Sequence, residues 1–167
     1  EAKNEADREM SAFSTPAPLG DAMRAAFGEI EMSTRIQRVF MQDKTPIRKI
    51  ENGQITTVLN EPKGYFADST FFEMFTYAFT EGNPATALTM PGTVVLSEEI
   101  ARKLFGDQPA CGQILRISNG WFEGGDMDFK VTGVFRQPQA ASVFEGRFFM
   151  SLYSGGLGDF VRANQNL

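Results

Sequence analysis

Apolar positions along the chain change their period several times, and each change marks an element. Leu19, Ala22, Met23, Ala26 and Phe27 fall at i, i+3, i+4, i+7 and i+8, the spacing of one helix face. Thr15 is placed to cap this helix, Pro16 suits its first position, and Gly28 its end. A strand-like run from Met32 to Met41 follows. Ile47–Ile50 and Gln54–Leu59 then flank Asn52-Gly53, the strongest short hairpin signal. Lys63 to Ala67 reads as another extended piece. Asp68 or Ser69 opens a brief helix with Phe71, Phe72 and Phe75 on one face and Thr70 and Glu73 at capping-box spacing. Residues 80–92 form a long turn-rich connection.

Beyond that connection Thr93–Leu96 is nearly continuously apolar, which predicts a strand buried on both faces. Ser97 to Phe105 reads as the best-formed helix, with Ile100, Ala101, Leu104 and Phe105 as its inner stripe and Gly106 as its stop. Ser97 caps it, Glu98 and Glu99 complement its dipole, and Glu98–Arg102 and Glu99–Lys103 are i,i+4 pairs. Gln113–Ile117 and Asp128–Arg136 look like two strands joined by the glycine-rich stretch Asn119 to Asp126. In the second, Phe129, Val131, Gly133 and Phe135 alternate with polar positions, as on one half-buried face. Arg147 to Leu152 is a last strand, and Asp159–Asn164 starts a helix. Residues 1–14 are polar and charged and carry a short helix or strand. The predicted class is α+β: mixed sheets with packed helices, in two lobes built from βαβ-type units. Residues 1–167 form one domain, its lobes at 1–80 and 93–153 linked by 81–92.

Composition narrows the function classes. Sixteen phenylalanines supply enough apolar surface for a core without disulfides, at roughly 1.5–3 kcal/mol for each buried ring. The net charge of −5 gives no electrostatic reason to seek nucleic acid or an anionic bilayer. There is no histidine, so the commonest general base and zinc ligand are both missing. No apolar stretch approaches the roughly 20 residues that span a bilayer. The chain opens at Glu1-Ala2-Lys3 without an initiator methionine, and both ends read as cut points within a longer protein.

The motifs that could carry chemistry have plainer readings. Asp126-Met127-Asp128 lacks the further spaced oxygens of a cation loop and reads as a polar hairpin tip. Gly155-Gly156-Leu157-Gly158 has neither a phosphate-loop ending nor dinucleotide-binding spacing and reads as a turn. Glu98 and Glu99 point about 100° apart on a helix and cannot face each other as acid and base. Cys111 stands alone, with no base to activate it. No catalytic, metal or cofactor residue is assigned. The cluster Phe71, Phe72, Phe75, Tyr77 and Phe79 reads first as core and second as a partner surface. Any exposed apolar patch is expected among Phe71, Phe72, Phe75 and their neighbours or at Trp121 and Phe122.

Several segments taken in order resemble the extracytoplasmic core domain of MacB-like and FtsX-like ABC-transporter permeases. Ser14-Thr15-Pro16-Ala17-Pro18-Leu19 is similar to that family's helix opening. Tyr65 to Phe75 is similar to its Asp-x-x-Phe-Phe-x-x-Phe segment, and Glu81-Gly82-Asn83-Pro84 with Ala87-Leu88 to its link. Val94 to Gly106 is the most characteristic stretch. Phe129 to Arg136 is similar to its Val-Thr-Gly-Val strand, and Phe148 to Leu152 to the strand after it. The resemblance runs over roughly residues 5–152. Departures are Cys111-Gly112, where a hydrophobic residue before Gly is usual, the hairpin loop Asn119–Asp126, and a tail after Tyr153 that ends earlier than the resemblance leads one to expect.

The resemblance implies a parent with one membrane helix before this domain and three after it. It further implies a cytoplasmic ATPase partner, permease dimerisation, and a location outside a bacterial inner membrane. The domain would then be non-catalytic, without a cofactor, binding a periplasmic partner or exported substrate and passing ATP-driven motion across the membrane. A free-standing extracellular binding or lipoprotein domain is the rival reading. A carboxylate-based hydrolase stands third, since it needs two facing acids that no spacing here predicts.

Overall fold

The β-branched run in the middle of the chain sets the architecture. In a computed structural model, which describes residues 15–16, 18–39, 43–138 and 144–163, strand β6 (Thr93–Ser97) is buried along its whole length. Such a strand needs partners on both edges and packed layers on both faces. The equally buried β9 (Phe148–Ser151) runs antiparallel on one edge, and β8 (Asp126–Arg136) runs parallel on the other. Beyond β9 lie β4 (Gly64–Ala67), in parallel, and the short β1 (Ile36–Arg38). Beyond β8 come β7 (Ile114–Ser118), β2 (Thr45–Glu51) and β3 (Gln54–Glu61). The order is β1-β4-β9-β6-β8-β7-β2-β3, with β5 (Ala78–Gly82) added to the carboxyl half of β8.

Helices α1 (Leu19–Ala26), α2 (Phe71–Met74), α3 (Glu98–Phe105) and α4 (Gly155–Ala163) complete an α+β fold, the predicted class. The link 81–92 does not separate two sheets. β4 pairs with β9 across it, and β2 with β7, so the segments read as lobes interleave strand by strand.

Each face of the sheet carries its own core. α3 lays Ile100, Leu104 and Phe105 over Phe66, Leu96 and Phe129. On the opposite face Phe71 and Phe72 of α2 pack with Tyr77, Val95, Phe135 and Phe149. Successive residues of β9 alternate between the two, Phe148 and Met150 to the first and Phe149 to the second, as the pleat requires. β8 breaks this rule. Val94 pairs with Val131 but Val95 with Gly133, leaving Thr132 as an extra residue. The bulge switches faces: Phe129 and Val131 enter the first core, Phe135 the second. The single face expected from Phe129 to Phe135 is corrected accordingly. Gly133 sits at the switch, where a Cβ would lie 2.5 Å from the Phe79 ring.

Other differences are local. α1 begins at Leu19 with Pro18 at its cap position, so Thr15 is no cap. Over 32–39, the described part of the strand expected at 32–41, only β1 is extended and paired. Thr70 turns its hydroxyl to the Ser33 carbonyl at 2.9 Å, away from its own helix. Ser97 occupies the N-cap of α3 without a side-chain capping bond, while Gly106 ends that helix at φ 64° as expected. β5 occupies part of the stretch read as turn. Gly155 and the glycines after it open α4 instead of forming a turn. The expectation for residues 1–14 lies outside the described residues.

Candidate functional site

Strand directions bring five of the exposed apolar residues, Leu19, Met23, Phe27, Met90 and Phe160, towards one end of the central sheet. β4 and β9 are parallel, β1 and β6 antiparallel to them, and β8 parallel to β6. The carboxyl ends of β4 and β9 therefore lie with the amino ends of β1, β6 and β8. Hydrogen bonds tie the connecting segments there. Leu152 N–H donates to the Ala67 carbonyl at 2.9 Å, and Gly92 N–H to Ser154 Oγ at 3.0 Å. Gly156 N–H donates to the Trp121 carbonyl at 2.9 Å. So α1, the 83–92 link, the 119–125 loop and α4 meet at this end.

α1 does not bury its apolar stripe as an ordinary surface helix does. None of its residues is buried, and Leu19, Met23 and the adjoining Phe27 are 39%, 41% and 54% exposed. Its other side is exposed as well, and meets the body near Gly20. A Cβ on Gly20 would lie 3.1 Å from Ser33, and Asp21 and Arg24 line a depression of about 160 Å³ with Arg35, Asp68 and Tyr153. The stripe expected to face inward is thus presented outward. Met90, on the link, is 65% exposed and Phe160, on α4, 53%. Such side chains in water forgo the hydrophobic gain of burial, which is the physical signature of a contact surface.

A polar clamp fixes this end. Asp68, at the close of β4, accepts from Arg35 Nε at 2.8 Å, from Arg35 Nη2 at 3.0 Å and from the Arg35 backbone N–H at 2.9 Å. Arg35 Nη2 also donates to the Tyr153 hydroxyl at 2.8 Å. The bond to Asp68 raises the already high pKa of the Arg35 guanidinium, against the opposing effect of burial, so Arg35 stays charged. The clamp joins the segment after α1, the end of β4 and the turn before α4.

The aromatic residues singled out in the sequence divide between core and surface. Phe71 and Phe72 are buried, with ring centroids 4.7 and 5.2 Å from Phe149. Phe122 is buried between Phe66 and Phe129, at 6.1 and 5.4 Å. These three pack the interior, Phe71 and Phe72 in the core on one face of the sheet and Phe122 in the core on the other, and they form no exposed patch. Phe75 and Trp121 are half-buried, and Trp121 lies 6.3 Å from exposed Phe160. The sequence pattern does not mark Leu19, Met23, Phe27, Met90 and Phe160 as surface. For α1 the stripe was visible, but only docking shows that it faces outward. Met90 and Phe160 carry no sequence signal.

Several ionisable groups are neutralised by internal partners. Arg48 and Ser118 engage Asp126, and Arg116 engages Asp128 at 2.7 Å, so both aspartates of the hairpin tip already hold internal partners. Among the described residues no group of three metal-ligating side chains occurs. Glu98 meets Arg136 at 3.3 Å in place of Arg102, while Glu99 pairs with Lys103 as expected, at 2.8 Å. Glu99 also meets Arg147 at 2.8 Å, and chiefly for that reason its carboxylate is held down at about 2. Burial, then the Glu81 carboxylate, pushes the Cys111 thiol up, the direction away from a reactive thiolate. Among the described residues no helix is long and apolar enough to cross a membrane.

Comparison with known proteins agrees with this architecture. The family model of the MacB-like periplasmic core domain matches residues 4–165. An uncharacterised ABC transporter permease of Bacillus subtilis, YvrN, is 33% identical over 96 residues, which cover 55% of this chain and 22% of that protein. A domain of a putative permease protein from Porphyromonas gingivalis superposes with a TM-score of 0.63 at 20% identity, over 82% of this chain and 57% of that one. The periplasmic region of MacB from Actinobacillus actinomycetemcomitans gives a TM-score of 0.49 at 13% identity, over 90% and 61%. The chain thus spans about a fifth of the curated permease it matches and little more than half of the Porphyromonas domain. It belongs to the family of MacB-like periplasmic core domains.

Proposed function

We propose that this domain is the non-catalytic, extracytoplasmic contact element of a bacterial inner-membrane ABC-transporter permease. It meets a periplasmic partner or an exported substrate and passes on motion driven by a cytoplasmic ATPase, in a permease that acts as a dimer. The observation that carries this reading is the clamped end of the central sheet. There Leu19, Met23, Phe27, Met90 and Phe160 stand exposed on segments held to a stiff, doubly packed sheet. A contact surface on a rigid support transmits displacement, whereas one on a loose loop absorbs it. Half-buried Phe75 and Trp121 are the members of the sequence-derived set that remain candidates for contact.

The test uses the full-length permease with its ATPase in liposomes. Met23→Glu and Phe160→Glu place charge on exposed positions, so the melting temperature of the domain stays within about 2 °C of the parent. Each is expected to lower partner- or substrate-stimulated ATP turnover at least tenfold. Unchanged stimulation in both variants would refute the assignment of this surface.

A further inference from the structure

Three strands have an edge left unpaired among the described residues, and they differ in kind. β1 is three residues long and ends in Arg38. β5 is bulged at Thr80, and its Glu81 reaches across to accept the Ala110 and Cys111 N–H groups at 2.9 Å. Short, bulged or charged edges resist pairing with another chain. β3 is the least protected. It runs for eight residues, and from Gln54 to Asn60 it contains no charge, no proline and no glycine. Ile55 and Val58 on it are 53% and 51% exposed. Its irregularity, the extra residue Thr56, lies near the hairpin tip and leaves Thr57–Glu61 in continuous register with Thr45–Lys49.

We propose that β3 is a pairing edge for a second copy of this chain, two β3 strands running antiparallel across a twofold axis. A row of free backbone N–H and C=O groups is satisfied by another strand and by little else except water. A second copy fits because the strand complements itself. Antiparallel pairing centred anywhere from Thr57 to Asn60 sets no two charged residues opposite each other. Glu61 is buried, held by Arg147 at 2.9 Å and Lys103 at 3.3 Å. With the axis at Val58, the two Val58 side chains meet and Thr57 faces Leu59, apolar and β-branched cross-strand pairs of the favourable kind. One pair of edges falls short of the ~1,200 Å² of a stable interface. Association of the free chain is therefore weak and strengthens when two copies are tethered. The proposal rests on the edge alone, so it stands or falls apart from the transport reading.

Sedimentation velocity on the 167-residue chain from ~10 μM to ~1 mM tests it. The weight-average mass is expected to rise with concentration. Val58→Lys, at a half-exposed position, sets like charges face to face and is expected to hold the chain monomeric. Met23→Glu leaves the self-association unchanged. In a Cys111→Ala background, Val58→Cys is expected to form a disulfide-linked dimer under mild oxidation, and Ile114→Cys is not. A chain that stays monomeric throughout, a dimer indifferent to Val58→Lys, or β3 amide protection that appears only with a different protein would each overturn the proposal.

Discussion

Removing the Asp68 carboxylate probes how the exposed end is held. Asp68 takes three hydrogen bonds from Arg35, and the two side chains are 13% and 22% exposed. Measured singly, a hydrogen bond to a charged group contributes roughly 1.5–3 kcal/mol, but these three share one carboxylate and one arginine and do not add. Breaking a fully buried pair by deleting one partner costs about 3–5 kcal/mol. Arg35 keeps some access to water and retains its bond to Tyr153, so Asp68→Ala is expected to cost about 2–3 kcal/mol. For a domain of this size that is a drop in melting temperature of roughly 4–12 °C. Asp68→Asn keeps an acceptor but not the charge, and should lose about half as much. Arg35→Met combined with Asp68→Leu should recover most of the loss, because no charge is then stranded. Urea titration reads the energies, and hydrogen exchange should locate the loosening in α1 and around Tyr153. If Asp68→Ala stayed within about 0.5 kcal/mol of the parent, or the double variant fared no better than the single, the clamp would not be what holds this end.

Two further outcomes concern the charged network beside α3. Arg147, then Lys103, hold Glu99 at about 2 against an ordinary 4.5, so its stabilisation is complete above 4.5 and lost as the pH falls towards 2. Glu99→Gln should flatten the acid limb of the melting curve in that window, weakly and less at high salt, since Glu99 is 54% exposed. Glu61 is 5% exposed and engages both Lys103 and Arg147, and Glu61→Ala should cost about 2–4 kcal/mol in chemical denaturation, with Glu61→Gln costing less.

Where local rules and burial agree, the fold was legible. Val94–Leu96 had to be buried on both faces, Ile100, Leu104 and Phe105 had to face the sheet, and Asn52-Gly53 had to turn a hairpin, and the structure has each. Legibility failed where a long-range contact outbid a local preference. Thr70 caps nothing because Ser33 offers its carbonyl, and the glycines open α4 because Gly156 donates its N–H to the distant Trp121 carbonyl, which a Cβ at Gly156 would crowd at 2.8 Å. The candidate surface was half legible. Periodicity reveals that α1 has an apolar stripe, but it is blind to which way the stripe faces, and the polar clamp behind α1 joins residues up to 118 positions apart.

The bulge in β8 bears on how motion could cross the domain. β8 pairs with β7 over Asp126–Lys130 and with β5 over Gly133–Arg136, so one strand serves two wings of the sheet. At the handover Thr132 donates its hydroxyl to the Ala87 carbonyl at 2.6 Å, tying the bulge to the link that carries Met90. Thr132→Val keeps the shape and removes the donor. The Ala87 carbonyl then loses its hydrogen bond, at a cost of about 1–2 kcal/mol, while both cores keep their packing. If the bond only stabilises the fold, hydrogen exchange should quicken evenly across the sheet. If it couples the wings to the exposed end, exchange should quicken first in the 83–92 link and in β5, with α3 and β2 unchanged. Even acceleration at the same loss of stability would rule the coupling out, because an element that moves separately must open at a lower free energy than the whole.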